Sequence, residues 1–369
     1  MTPYSLTTRL EHYINTMLPE THGHQRKAVR DFIVALLVVR TCCQAALARY
    51  FPNFEAASRR LTRGLHNPRL EPPAQAQAHA QAGVAQLPLV GSVRGAIAWT
   101  TEDPQHRLVA SLVVGHRAVP LYWEAYTTAA LKGTQRAWEH AFVAQLVGTL
   151  LTGLARPRRL VTAERGFCPG DFLARLDRWN LPFVRRLTAN VTVWLAQQWH
   201  QLGSLRLPGT SRRRALGRLG VMRSKPRRYG VAQTRARNKK GRWEYWHLVS
   251  KRPRSALTMA QEYARRFSCA AGFRDAKRLL GFAEARIAEL LAWARRFAVG
   301  AAALLILTQR GTHMPRHPQR PTWLRQVRSR RRPRSELSVI TVVCQLLDQV
   351  PAWWNLLTPH AKLNLEAAL

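Results

Sequence analysis

The sequence predicts an α/β fold, a mixed sheet flanked by helices, with a β-rich insertion and an N-terminal helical domain. Three observations predict it. From Arg94 onward, "RGAIAWTTE", "RLVASLVV" and "AVPLYWEAY" read as strands separated by the turns "DPQH" and "GHR", which makes an antiparallel meander. The helical stretch "TQRAWEHAFVAQLVGTLLTGL" then leads into the short apolar strand "RRLVTA" and a further helix, "PGDFLARLDRWN". A helix between two strands implies a crossover and a parallel pair, so both kinds of pairing are expected in one sheet. Ahead of all this, the first seventy or so residues repeat apolar positions at helical spacing.

Taken in order, residues 1–72 read as an N-terminal helical, DNA-binding region. Its segment "FEAASRRLTRGLHN" starts like a helix and stops at Asn67-Pro68. Arg59, Arg60 and Arg63 give that segment a basic face, which suits either phosphate contact or plain solvation. Residues 73–93, rich in Ala, Gln and Pro and free of aromatics, read as a linker. Residues 94–204 hold the first part of the core. Residues 205–252 read as a basic β-rich insertion, because Arg206 to Arg252 carries 16 Lys/Arg and one acid, Glu244. Within it, "YGVAQTRARNKKGRWEYWHLVSKR" alternates as two strands about an "NKKG" turn, with Arg242 and Trp243 at the turn's exit. Cations and aromatics interleaved in this way suit phosphate pairing and base stacking; edge-strand protection is the plainer alternative. Residues 253–310 read as core helices, and 311–369 as a basic tail with a last amphipathic helix.

Composition narrows the function. Against 58 Lys+Arg stand 20 Asp+Glu, a formal charge of +38 and a sequence pI near 11.7, which implies a polyanionic partner, nucleic acid first. The apolar runs "FIVALLVV" and "FAVGAAALLILT" fall short of a membrane span, so buried helices and no membrane partner are expected. No signal-peptide pattern opens the chain. Five cysteines without a Cys-x-x-Cys spacing point away from a disulfide framework and a zinc site, and towards a reducing, cytoplasmic setting.

The chemistry concentrates in three short blocks. In "YARRFSCAAGFRDAK", Tyr263, Arg266 and Lys277 share one stripe of an uninterrupted helix, and the position between them on that stripe is Ala270. The other two are "VTAERGF", with Glu164, and "AIAWT", with Ala98. Together the blocks resemble the DDE transposases of bacterial insertion sequences, in the IS-four branch with its Tyr-Arg-Glu-Lys signature. The match runs over roughly residues 94 to 308, and Ala98, Glu164 and Ala270 fall at the family's Asp, Asp and Glu.

The resemblance implies a ribonuclease-H-like core and cut-and-paste DNA transposition, in which three carboxylates hold two Mg²⁺ or Mn²⁺ ions at the scissile phosphate. Two alanine methyl groups supply no hard oxygen ligand, and Glu164 alone is a weak metal site. No cofactor is therefore expected, and the resemblance implies a catalytically impaired protein that keeps its DNA contacts at Tyr263, Arg266, Lys277 and Arg165. Its implied partner is double-stranded DNA at transposon ends, bound by a homodimer in the bacterial nucleoid. Two alternatives stand beside this one. The first is an active transposase using Glu164 with displaced acids, drawn from Asp103, Asp171, Glu262 or Asp275. The second is a basic architectural nucleic-acid-binding protein.

Overall fold

The computed structural model describes residues 14–15, 18, 22–86, 93–102, 105–115, 117–149, 159–167, 169–238, 240–284, 287, 289–313, 320–329, 333 and 337–349. The chain divides into two compact units, residues 89–271 and, from both ends of the sequence, residues 1–88 with 272–369.

In the unit 89–271, the strands among the described residues join one ten-stranded sheet of order β3-β2-β1-β4-β5-β10-β9-β8-β6-β7. The expected meander is present as β1 (Val93–Glu102), β2 (Gln105–Val114) and β3 (Arg117–Thr127), each antiparallel to the next. A short helix α5 (Thr128–Leu131) and the longer α6 (Gln135–Thr149) follow. β4 (Arg159–Ala163) returns parallel to β1, and after α7 (Pro169–Arg178) β5 (Phe183–Leu187) runs parallel to β4. The expected mixture of parallel and antiparallel pairing is thus observed, in an α/β arrangement with helices against the sheet. The β-rich insertion does not stand apart from this sheet. β10 (Trp243–Ser250) pairs with β5, β9 (Arg227–Arg237) with β10, and β8 (Arg213–Val221) with β9. It also begins earlier than residue 205, because the hairpin β6 (Thr192–Leu195) and β7 (Gln198–Gln201) is already part of it. The turn between β9 and β10 is closed by Asn238, whose Oδ1 accepts from the amides of Lys240 and Arg242 at 2.9 and 3.1 Å. Gly241 supplies the positive φ of 75° there.

Helix α8 (Ala256–Ala264), capped by the Ser255 hydroxyl accepting from Thr258 N at 3.1 Å, packs on this sheet. Its Ala256, Met259 and Tyr263 close a core with Leu160, Val184, Ala232, Trp246 and Leu248. Helix α9 (Ser268–Leu279) follows after a 3₁₀ turn, Arg265–Phe267. That turn corrects the single uninterrupted helix expected from the sequence: a 3₁₀ turn advances about 120° per residue instead of 100°, so the stripe through residues 263 to 277 is broken.

The other unit is helical. α1 (Gly23–Val39), α2 (Gln44–Arg49) and α3 (Phe54–His66) occupy the expected N-terminal region. α3 is capped by Asn53, whose side chain accepts from Ala56 N at 2.9 Å. The expected linker is instead helix α4 (Pro72–Gln86). Ala and Gln are strong helix formers, and proline is accommodated in a first helical turn, where its missing N–H has no intrahelical partner. Ala76, Ala80 and His79 are buried, so the small residues serve as a close-packing face.

α10 (Leu290–His313), α11 (Arg320–Gln326) and α12 (Val339–Gln349) complete this unit. α10 contacts α1, α3, α4 and α12. Residues 272–310, expected within the sheet-bearing core, therefore belong with the N-terminal helices. The stretch Leu290–Gln309 is long and apolar enough to cross a membrane by composition, and 89% of its apolar window is buried inside the protein. It exceeds the run read from the sequence because the chain tolerates Arg295 and Arg296 inside it. Arg295 donates to Leu70 O at 2.8 Å and Leu65 O at 2.7 Å, and Arg296 donates to Cys42 O at 2.6 Å. These guanidiniums satisfy carbonyls that end or precede neighbouring helices.

Gly300 in α10 gives a test of this packing. An added Cβ would lie 1.6 Å from the Phe282 ring. In an open helix Gly→Ala gains about 1 kcal/mol. Here Gly300→Ala is expected to reverse sign and cost about 1–3 kcal/mol through overpacking. Chemical denaturation of the variant beside the parent measures it.

Candidate functional site

The first two positions of the resemblance lie side by side. In the parallel ladder Ile97 of β1 faces Ala163 of β4, and the Glu164 amide donates to Ile97 O at 3.1 Å. Ala98 and Glu164 are the next residues on each strand, so their side chains leave neighbouring strands at the same level. Ala98 is buried and Glu164 is partly exposed. The pleat sends Trp99 to the opposite face, where its Nε1 donates to Glu139 of α6 at 3.0 Å. Burial raises the Glu139 carboxyl above the usual range, opposed by its bonds from Trp99 and Gln135. That carboxylate is therefore bonded to the residue next to Ala98 but lies on the opposite side of the sheet.

The third position arrives from α9. Cys269 is fully buried, with its Sγ 3.8 Å from Ala96 O, and Ala270 follows it, exposed. Burial pushes the Cys269 thiol up to about 11, opposed by a bond with Ser111 and by Arg266. The residue is a packed small hydrophobe, not a thiolate. Arg266, in the 3₁₀ turn, reaches Glu164, Nη1 to Oε1, at 4.0 Å. Its guanidinium lies 4.4 Å from the Phe267 ring centroid and 5.6 Å from that of Tyr263. Ala98, Glu164 and the Arg266–Ala270 segment therefore meet at one end of β1 and β4.

Tyr263 differs from its expected role at the surface. Its ring is 1% exposed and packs edge-on to Trp246 at 5.3 Å. It braces Arg266 from inside the core. Lys277 lies beyond Gly272, in the other unit, and is half-buried. Arg165, next to Glu164, is exposed. It lines a cleft of about 290 Å³ with Arg186, Arg206, Glu244, Tyr245 and His247.

The acids named as replacements are not assembled here. Glu262 is held by Arg94 through bonds of 2.7 and 3.1 Å and by Arg265 at 3.1 Å. Asp171 is exposed on α7, Asp275 belongs to the other unit, and Asp103 lies outside the described residues. Among the described residues no group of three or more His, Cys, Asp or Glu could hold a metal ion. Mg²⁺ or Mn²⁺ needs several hard oxygen ligands, and this site offers one carboxylate with a guanidinium beside it, so the residues present do not fit a metal pair.

Cations gather elsewhere. Trp243 is 44% exposed at the β9–β10 turn, with the guanidiniums of Arg212, Arg235 and Arg237 at 5.7, 5.2 and 5.0 Å from its ring. Arg242 beside it is exposed. In the helical unit, Lys27, Arg60, Arg63, His66 and Arg69 line a cleft of about 770 Å³. Arg59 and Arg63 are exposed on α3. Arg60 is partly committed, bonded to Asp31 at 2.8 Å and lying over the Phe51 ring at 5.4 Å.

His247, which the sequence reading passed over, is 5% exposed, with Nδ1 3.3 Å from the Gln233 amide. Burial, then Arg186, lowers its pKa from 6.5 to about 4. The unfolded chain takes up a proton near the ordinary value and the folded chain does not. The neutral ring's contribution is thus complete above about pH 6.5 and is lost as pH falls towards 4. His247→Gln should therefore flatten the acid limb: between pH 7.5 and 5 the parent should lose about 2 kcal/mol more than the variant in denaturant titrations.

Neither the protein-family models nor the curated proteins compared with this chain match it.

Proposed function

We propose that the protein is a DNA-binding member of the DDE transposase group whose catalytic centre has lost its metal pair. The observation that carries this reading is the convergence of Ala98, Glu164 and the Arg266–Ala270 segment. These positions are far apart in sequence and lie in the three motif blocks that carry the resemblance. The strand order 3-2-1-4-5 at one end of the sheet, with β1, β4 and β5 parallel, supports a ribonuclease-H-like core. The insertion of β6 to β10 between β5 and α8 supports the transposase branch.

In this reading the ligand is duplex DNA at the ends of a mobile element, bound by two copies of the chain. Carboxylates beside a phosphate repel it when no metal intervenes, so alanine at positions 98 and 270 removes repulsion. Arg266, oriented by Phe267 and Tyr263, takes a phosphate oxygen. Glu164 competes with that phosphate for the same guanidinium. Trp243 and its arginines, with exposed Arg242 and Arg165, extend the cationic surface, while Arg59 and Arg63 offer a second contact in the helical unit.

Two outcomes are expected. Affinity for duplex DNA should fall linearly against log salt with a slope of roughly −5 to −9, as neutralising about six to ten phosphates requires. A flat response in a fluorescence-anisotropy titration would remove the basis of the reading.

The triple variant Ala98→Asp, Glu164→Asp, Ala270→Glu should restore a cation pocket. It should be less stable than the parent without metal, because carboxylates repel one another. Added Mn²⁺ at about a hundred times its Kd should return about 2.7 kcal/mol of stability. The parent's melting temperature should not respond to Mn²⁺, and neither should the parent nick DNA. A triple variant indifferent to Mn²⁺ would reject the alignment of the three positions.

A further inference from the structure

The hairpin β6–β7 closes one edge of the sheet, and its composition is unusual for an edge. The cross-strand pair at its centre is Trp194 and Trp199, with ring centroids 5.4 Å apart and planes at 60°. Trp194 is 43% exposed. The loop residues Ala196 and Gln197 both have positive φ, 48° and 62°. That is the geometry of a two-residue primed turn, which asparagine and glycine adopt far more readily. Here side-chain-bearing residues accept the left-handed region, and the two indoles are held opposite each other.

The floor beneath the indoles is also specific. Trp194 pairs with Gly220 of β8, where an added Cβ would lie 3.2 Å from the Trp194 Cβ and 3.7 Å from the Trp199 ring. A glycine at this point lets both rings lie close over the strand. Beside them is a cleft of about 660 Å³, whose walls include Trp194, Trp199, Arg218, Pro226 and Arg228. Among the described residues no carboxylate lines it. The adjoining β8–β9 turn adds Arg223, Lys225 and Arg227, all exposed. Asp177 answers only part of this charge, being bonded to Arg227 at 3.5 Å and Lys251 at 2.8 Å.

We infer that this cleft binds an unpaired nucleotide of a DNA strand, with the base stacked on the Trp194–Trp199 pair and the flanking phosphates on Arg218 and Arg228. This rests on the DNA-binding reading for the identity of the polymer. Charge decides against a second copy of the chain as occupant, because each copy carries +38. Geometry decides against an intact duplex, because an indole stacks on a base face, and duplex faces are already covered by neighbouring pairs. The site differs from Trp243, whose ring is surrounded by three guanidiniums. Among the described residues no guanidinium lies over Trp194 or Trp199.

The test uses the full chain and three fluorescent probes: an oligothymidylate, an abasic oligomer of equal length and a blunt duplex. Trp194→Ala and Trp199→Ala should each weaken oligothymidylate binding by about ten-fold, as loss of a base–aromatic stack does. Abasic binding should not change, and Trp194→Phe should retain most of the affinity. The double change Arg218→Ala with Arg228→Ala should weaken both single strands, and melting curves check that each variant is folded. Equal losses on the thymidylate and abasic strands in the tryptophan variants would overturn the stacking site. So would full thymidylate binding in Trp194→Ala, or in the arginine pair if the alanine variants do not fold. Failure of the parent to bind the blunt duplex, with thymidylate binding still dependent on Trp194, would sink the duplex reading and leave this one standing.

Discussion

The Glu164 amide bonded to Ile97 O closes a parallel ladder that begins at Val93 and Arg159, and the rest of the site depends on its register. Strand side chains alternate between faces, so a slip of one residue would turn Ala98 towards α6 and bring Trp99 to the site. The register is held by what it buries. Ala96, Ile97 and Ala98 on β1 and Leu160, Val161 and Ala163 on β4 are all buried, and β5 extends the same parallel set. Because the next residue after β4 is Glu164, the one carboxylate of the site leaves the sheet at the point where the ladder ends. Its exposure and its approach to Arg266 follow from that position, not from any preference of the glutamate itself.

The same register suits the residues that stand at positions 98 and 270. At position 98 an alanine methyl packs among buried neighbours where an aspartate would need a cation or a hydrogen-bond donor. Position 270 is exposed, and there alanine is simply a good helix former early in α9. Arg266 is held between Glu164 and two aromatic rings. A guanidinium in that position is a poor neighbour for a divalent cation.

Much of the sheet was legible because its strands announce themselves by apolar runs broken at turns. β1, β2, β3, β4 and the β9–β10 hairpin are where alternation and "NKKG" place them. β5 was not, because "FVRRL" puts two adjacent arginines in a buried strand. Arg185 is 1% exposed, lies 5.2 Å from the Phe172 ring and donates to the Phe167 carbonyl, so its charge is answered by partners that no local pattern reveals. α4 was mistaken for a linker because alanine and glutamine suit both. The spacing of Gln75, Ala76, His79 and Ala80, all buried, was the available sign of a helix face. At the site, the motif blocks point to Ala98 and Glu164, and these do follow paired residues at the same level of neighbouring strands. The burial of Tyr263 was not legible, since a phenol and a guanidinium three residues apart look alike whether they face water or the core. The assignment of residues 272–313 to the N-terminal helices depends on packing across more than two hundred residues of chain, which no window of sequence contains.

A chain with 58 basic side chains and 20 acidic ones cannot pair its cations by salt bridges. The protein answers with two neutral partners. Carbonyls at helix ends receive Arg295 and Arg296, and aromatic faces receive Arg60, Arg185, Arg186, Arg266 and the cluster around Trp243. Neither partner neutralises charge, although Arg60, Arg186 and Arg266 each also meet a carboxylate, of Asp31, Glu244 and Glu164. Long-range attraction for a polyanion therefore survives folding almost undiminished, while the side-chain entropy that a free arginine would lose on contact has been reduced in advance. The aromatic content of the insertion is thus tied to the charge excess: rings such as Trp243 hold the guanidiniums in place.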